Sequence, residues 1–199
     1  GEFEYFLRQA CKGYPNVDRR DYSVTLTEIA DRILPALDRE LAEFARSHLE
    51  GRGIRVRLKS SVVELLEDSV VLSSAESLPS KTVIWCAGIA PNPLVAGLGL
   101  PLDEFAFIRC RPDLQVEGFN NVWAIGDCAP NPDEEGEPYP ATAQHTVQLG
   151  SCLGKNLSRL IHGKALRTCR ISSKGTLAAL GCRTGVAQLF GIKLAGFPA

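Results

Sequence analysis

The chain has 199 residues, 45% of them hydrophobic and 23% charged, and its 22 Lys and Arg against 23 Asp and Glu give a formal net charge of −1. That composition excludes a disordered tail and a whole-surface basic footprint for nucleic acid, and with no run of about 18 apolar residues no segment reads as a membrane-spanning helix. Methionine is absent, even at position 1, so the sequence is expected to be part of a longer protein, with Gly1-Glu2-Phe3 either a cloning remnant or a piece of an interrupted helix.

In chain order, residues 4–11 read as the end of a helix stopped near Gly13 and Pro15. Tyr22–Glu28 alternates and is β-branched, as a strand does. Asp38 can cap a helix carrying Leu41, Phe44, Ala45 and Leu49 at helical spacing, and Gly51 and Gly53 end it. Ile54–Leu58 is the next strand, and Val62–Leu66 with Val70–Leu72 reads as a hairpin. Lys81–Ala87 is nearly all apolar, the pattern of a strand buried on both faces, and stops at Gly88 before the proline-rich Ala90–Pro93. Phe105–Cys110 and Asn121–Ile125 are further expected strands, the second ending at Gly126-Asp127. Residues 130–140 form an acidic, proline-rich loop, expected to be a solvated one. A long helix is expected over Ala141–Ile161. Short strand-like runs at 176–180 and 185–190 follow.

The order strand, helix, strand, hairpin, buried strand is that of the back half of a doubly wound nucleotide-binding domain. The phosphate-cradling fingerprint G-x-G-x-x-G is absent: Gly97 and Gly99 are followed by Leu102 where the third glycine should fall, and Gly51 and Gly53 by Val56. The seven cysteines contain no C-x-x-C, and their odd number without a secretion signal fits reduced thiols in a cytosolic compartment. Cys86 and Cys128 sit in apolar runs, where a free Cys usually acts as a small hydrophobe. His48, His145 and His162 lack metal-ligand spacing, so no metal site is expected. There is likewise no hydrolase motif.

Four constellations remain, of which Ser173-Lys174-Gly175 with Gly181 is the weakest, Lys174 being most simply a surface cation. Glu28 ends a strand, where a carboxylate either is simply solvated or accepts both ribose hydroxyls of NADH and repels the 2′-phosphate of NADPH. Val122-Trp-Ala-Ile-Gly-Asp127 delivers a glycine that permits close cofactor approach and an aspartate that can accept from a ribityl hydroxyl. Gln144 and Gln148 are i, i+4 neighbours at the start of the long helix, where backbone N–H groups and the dipole favour a developing negative charge. On their own they equally describe an ordinary polar helix face.

Together these residues resemble the flavoproteins with two dinucleotide-binding domains, and among them the type II NADH:quinone oxidoreductase family. Val24–Pro35 resembles the second strand and following loop of the family's NAD domain. Thr82–Gly88 with Pro91 resembles the crossover back to the flavin domain, and Val122–Asp127 the second FAD motif. Ala143-Gln-His-Thr-Val-Gln148 is similar to the quinone-side A-Q-x-A-x-Q motif, with Thr146 in place of Ala. Lys174-Gly175-x-Leu177-Ala178 also resembles a family phrase.

The resemblance implies an α/β fold: a partial Rossmann-like NAD(H)-binding domain over 1–92, a partial FAD-binding domain over 93–165, and the start of a membrane-proximal segment over 166–199. It implies FAD and NADH as cofactors, with hydride passing from NADH to FAD and two electrons on to a quinone without proton pumping. Glu28, Ala87, Gly88, Gly126, Asp127, Ala143, Gln144 and Lys174 would bind cofactor, and Gln144 and Gln148 would serve catalysis on the quinone side. The parent would lie on the inner, cytoplasmic face of a membrane, anchored through segments beyond residue 199, and would be a homodimer. Without its glycine fingerprints the chain by itself is expected to be inactive and to pair with itself. The alternatives are a ferredoxin reductase-like enzyme, a non-catalytic scaffold, or a sulfide:quinone oxidoreductase, which needs a redox-active cysteine pair that only Cys110 and Cys128 could supply.

Overall fold

The computed structural model describes residues 1–181 and 183–196. They form two units, one of Gly1–Ile84 together with the residues from Lys174 on, the other of Trp85–Ser173. The described residues from 174 on therefore pack with the first unit. The unit boundaries fall at 84 and 173.

In the first unit, helix α1 (Glu2–Ala10) is followed by strand β1 (Val24–Thr27), helix α2 (Arg39–Gly51) and strand β2 (Ile54–Arg57). β1 and β2 are parallel, with Val24 opposite Ile54 and Thr27 opposite Arg57, so α2 is the crossover of a βαβ unit. Asp38 caps α2 by accepting from the Glu40 N–H. The helix buries Leu41, Ala42, Ala45 and Leu49. Phe44, expected on that face, is instead partly exposed and stacks on His48.

β3 (Val62–Leu65) and β4 (Ser69–Leu72) form the expected hairpin, extended by a third strand, β5 (Ser77–Pro79). A second antiparallel sheet, β6-β7-β8 (Gly175–Gly181, Thr184–Leu189, Ile192–Gly196), covers α2. Leu180 and Val186 join Ile33, Leu37, Leu41, Ala45, Leu49 and Ile54 in one core. The β7–β8 turn has positive φ at both Phe190 and Gly191, which matches its twist to that of the strands.

From residue 81 on, the structure corrects several sequence expectations. Residues 81–87 form no strand, and Val83, Ile84 and Trp85 are exposed. A strand needs a hydrogen-bonding neighbour, and no described residue supplies one. Cys86 is accordingly exposed, not a buried hydrophobe. The strands expected at 105–110 and 121–125 are reduced to isolated bridges, Leu102 with Ile108, Cys110 with Val116, and Gln115 with Trp123.

Tight turns account for that reduction. The Asp103 carboxylate accepts from the N–H groups of Phe105 and Phe107, and Asp133 accepts from those of Glu135 and Glu137. The acidic loop is thus built by Asp133 and is not merely solvated. Side-chain bonds of this kind compete with a continuous ladder. Helix α3 (Ala143–Ile161) runs through this unit and buries His145, Leu149 and Asn156.

Candidate functional site

Glu28 lies one residue past β1. Its N–H donates to the Arg57 carbonyl, and its Oε1 accepts from the Ala30 N–H at 2.9 Å. The half-buried carboxylate therefore sits at the C-terminal end of the parallel pair, the end at which open α/β sheets bind their ligands. Ala87 and Gly88 are exposed, and Gly88 has φ +90 with nothing within 4 Å of where a Cβ would be. Lys174 is exposed and directly precedes β6 in the first unit.

In the second unit Gly126, Asp127 and the start of α3 come together. Gly126 has φ +82, and a Cβ there would stand 3.4 Å from the Thr146 methyl of the first turn of α3. The conformation favours a residue without a side chain, while the approach itself is an ordinary van der Waals distance. Asp127 and Ala143 are exposed, and Gln144 is half-buried.

The N-cap Thr142 makes no bond from its side chain to the helix backbone. Its hydroxyl pairs instead with His145 Nδ1 at 2.6 Å, and His145 stacks on Tyr139. Buried Asn131 donates to the Ala124 carbonyl, while its Oδ1 has no partner. Asn131 borders a cavity of about 20 Å³ with Gly126, His145 and Thr146. An uncapped helix start, a glycine held close to it and an exposed aspartate fit the anionic edge and polyol chain of a flavin.

Gln148 is engaged with the protein. Its Nε2 donates to the Gln144 carbonyl at 3.2 Å and to the Ser172 carbonyl at 3.0 Å, and its Oε1 accepts from the Ser172 N–H at 3.2 Å.

Two cysteines overturn the expectation of reduced thiols: Cys152 on α3 is bridged to Cys169, with their Cα atoms 5.8 Å apart. Cysteine spacing alone could not assign that pairing. Cys110 and Cys128 are free. Burial pushes the Cys110 thiol up to about 11, against the bond it makes to the Ala124 carbonyl. A buried, protonated thiol is a poor redox nucleophile, which removes the support for a sulfide-oxidising cysteine pair. Sequence reasoning also missed Tyr139, Asn131 and Asn156, none of which carries a motif.

The βαβ unit and the Gly-Asp turn facing a helix start are features of dinucleotide-binding proteins. Residues 5–150 match the family model of pyridine nucleotide-disulphide oxidoreductases, and the chain belongs to that family, whose cofactors are FAD and a pyridine nucleotide. More particularly, it is 29% identical over 205 residues to the type II NADH:quinone oxidoreductase of Staphylococcus aureus, covering 98% of this chain and 49% of that protein. The chain thus spans about half the length of the curated relatives it matches.

Among solved structures, NDH2 of Plasmodium falciparum in complex with NADH superposes with a TM-score of 0.86 at 18% identity, over 98% of this chain and 55% of that one. Reduced CoADR-RHD of Bacillus anthracis gives 0.66 at 25% identity, over 84% and 30%. A ferredoxin reductase of Rhodopseudomonas palustris gives 0.63 at 20%, over 86% and 48%. Among the described residues no helix is long and apolar enough to cross a membrane.

Proposed function

We propose that the protein containing this chain is an NADH:quinone oxidoreductase of type II. The observation that carries the reading is Gly126-Asp127 held against an uncapped α3 start that bears Gln144 and, one turn on, Gln148. The likeness to the staphylococcal enzyme over nearly the whole chain supports it. Bound FAD would supply the redox chemistry, accepting hydride from NADH and releasing two electrons to a quinone.

The chain's own residues bind and orient. Glu28 accepts from the ribose hydroxyls of NADH and disfavours a 2′-phosphate. Ala87 and Gly88 let the nucleotide side pass close to backbone. Gly126 and Asp127 hold the ribityl chain. Ala143 and Gln144, on the first turn of α3, stabilise negative charge at the pyrimidine edge, Lys174 contributes positive charge to the cofactor, and Gln144 and Gln148 line the quinone side. Membrane-surface attachment and a homodimer belong to the same reading.

Turnover of the full protein with NADH and a soluble quinone tests it. Expected is quinone-dependent NADH oxidation, with NADPH at least about tenfold poorer. Glu28→Gln should narrow that preference, because removing the charge lifts the repulsion of a 2′-phosphate. Activity with ferredoxin and none with quinone would replace the reading with the ferredoxin reductase alternative.

A further inference from the structure

The chain that follows α3 turns back and is tied down at several points. Cys152 on the helix is bridged to Cys169. Asn156, one turn on, donates to the Arg167 carbonyl at 2.8 Å and accepts from the Arg167 N–H at 3.0 Å. The Cys169 N–H donates to the Pro112 carbonyl at 2.8 Å. The Tyr139 hydroxyl donates to the Cys169 carbonyl at 3.2 Å and accepts from the Ile171 N–H at 3.4 Å. Of these ties, the bridge is the one that a two-electron change removes.

Its two sulfurs differ in access. Cys169 is fully buried in the small core with Leu114 and Leu149, whereas Cys152 is only partly buried. An external thiolate therefore meets the Cys152 sulfur first, and Cys169 is the leaving group. Asn156 Nδ2 lies 3.9 Å from the Cys169 sulfur, a donor within reach of the charge that sulfur takes on. Among the described residues Cys11, Cys86, Cys110 and Cys128 are free, and Cys86 is exposed. A chain that keeps an exposed thiol unpaired suits a thiol-reducing setting, where a bridge is usually transient or redox-sensing.

Tyr139 leads from the bridge to the start of α3. Its ring stacks on His145 with centroids 6.4 Å apart, and His145 Nδ1 pairs with the hydroxyl of Thr142, the N-cap of α3. A run of contacts thus joins Cys169 to the helix start through Tyr139 and His145.

We propose that the Cys152–Cys169 bridge is a redox-sensitive fastener. Closed, it holds Arg167–Ile171 on α3 and steadies Tyr139 against the helix start. A dithiol opens it: one thiolate attacks the Cys152 sulfur, the bond to Cys169 breaks, and the Cys169 sulfur takes a proton. The second thiolate of the dithiol then displaces Cys152, whose sulfur takes a proton in turn. The dithiol becomes a disulfide, and its two electrons and two protons end on Cys152 and Cys169 as thiols. Opening loosens Cys169–Ile171 from Tyr139 and weakens the hold on FAD. That last step rests on the proposed placement of FAD at Gly126-Asp127 and the start of α3.

The test uses the full FAD-loaded protein, wild type and Cys152→Ala, with and without dithiothreitol. In native wild type, dithiothreitol should open both Cys152 and Cys169 to alkylation while buried Cys110 stays unlabelled, which shows that the unit remains folded. Hydrogen exchange at Cys169 and Ile171 should rise at least about tenfold on reduction. FAD recovered by ultrafiltration should appear about three- to tenfold faster. Cys152→Ala should show both changes without dithiothreitol and no response to it.

A bridge that dithiothreitol opens only in urea would be a permanent link and overturn the proposal. Opening without raised exchange at Ile171 would overturn it equally. Asp127→Ala separates the remaining failures, because it should speed FAD release by itself. If it does and reduction does not, the coupling to the cofactor fails while the placement of FAD stands. If neither speeds release, the placement fails and takes the coupling with it.

Discussion

Glu4 is a carboxylate with no exposed side-chain surface, and three arginines surround it: Arg8 at 2.8 Å from the same helix, Arg52 at 2.6 Å from the C-terminal end of α2, and Arg19 at 4.0 Å. Arg52 also donates to the Leu180 carbonyl of β6 at 2.9 Å, so one guanidinium joins three elements. Burial by itself would raise the Glu4 pKa. The hydrogen bonds from Arg8 and Arg52, with their charges, outweigh it and hold the carboxyl below its ordinary value. Arg52→Met leaves a buried charge with one partner fewer and should cost on the order of 3 kcal/mol, read as a lower urea midpoint by circular dichroism at neutral pH. Because the folded pKa is depressed, the contribution is complete above the unfolded glutamate value of about 4.3 and is lost as pH falls through the folded one. The stability gap between wild type and Glu4→Gln should therefore narrow as the pH drops below about 4.3, and a gap independent of pH would refute the argument. Cysteine reactivity is a second residue-scale test. Exposed Cys86 should alkylate readily in native protein, while buried Cys110, its thiol pushed up to about 11, should react only on unfolding.

At the scale of elements, the β6–β7 pairing depends on Gly175. It opens β6 at φ +124, and a Cβ there would collide with the Gln188 carbonyl oxygen and lie 2.8 Å from the Leu189 Cα. The clash is with backbone on the paired strand, so no rotamer relieves it. Gly175→Ala should destabilise the first unit by more than about 2 kcal/mol, seen as a melting temperature lower by several degrees. An unchanged melting temperature would show that the strands can part there at little cost. This glycine was legible in the sequence as part of a family phrase, Lys174-Gly175, and not as a packing necessity. The elements that were legible had local signals. β1, α2 and β2 announced themselves through alternation, the Asp38 cap and the spacing of Leu41, Ala45 and Leu49. What failed depended on partners distant in sequence. An apolar run such as 81–87 is a buried strand only beside another strand, and the bridge from Cys152 to Cys169 requires knowing how the chain after α3 turns back. Of the candidate site, the motif positions Gly126, Asp127 and Gln144 could be named from sequence. The commitment of the Gln148 amide to Ser172 could not, because a side chain pairing with backbone 24 residues away leaves no periodic trace.

At the scale of the whole molecule, the described residues leave large apolar side chains exposed. Val83, Ile84, Trp85 and Ile89 are exposed in succession, between 45% and 62%. Among the described residues β8 is an edge strand, and its Ile192 and Leu194 are also exposed. An unpaired edge and a run of uncovered large hydrophobics both favour association with another chain. The two features differ in kind, which makes them separable. The 83–89 run offers side-chain burial, and β8 offers backbone hydrogen bonds as well. Expressed as these 199 residues alone, the chain should self-associate at micromolar concentration, with a weight-average mass that rises with concentration in light scattering. Ile84→Ser with Trp85→Ser should reduce association if burial drives it. Ile192→Lys with Leu194→Lys should reduce it if strand pairing does, since lysine blocks an edge without disturbing the face packed on α2. The inner face of this sheet already meets α2 through Leu180 and Val186, so both lysine substitutions fall on the opposite face and the fold should survive them. The larger effect is expected from the serine pair, because Trp85 and Ile84 remove more apolar area from water than the short β8 edge can. A monodisperse monomer at all concentrations would mean that these side chains stay in water at a cost the chain tolerates.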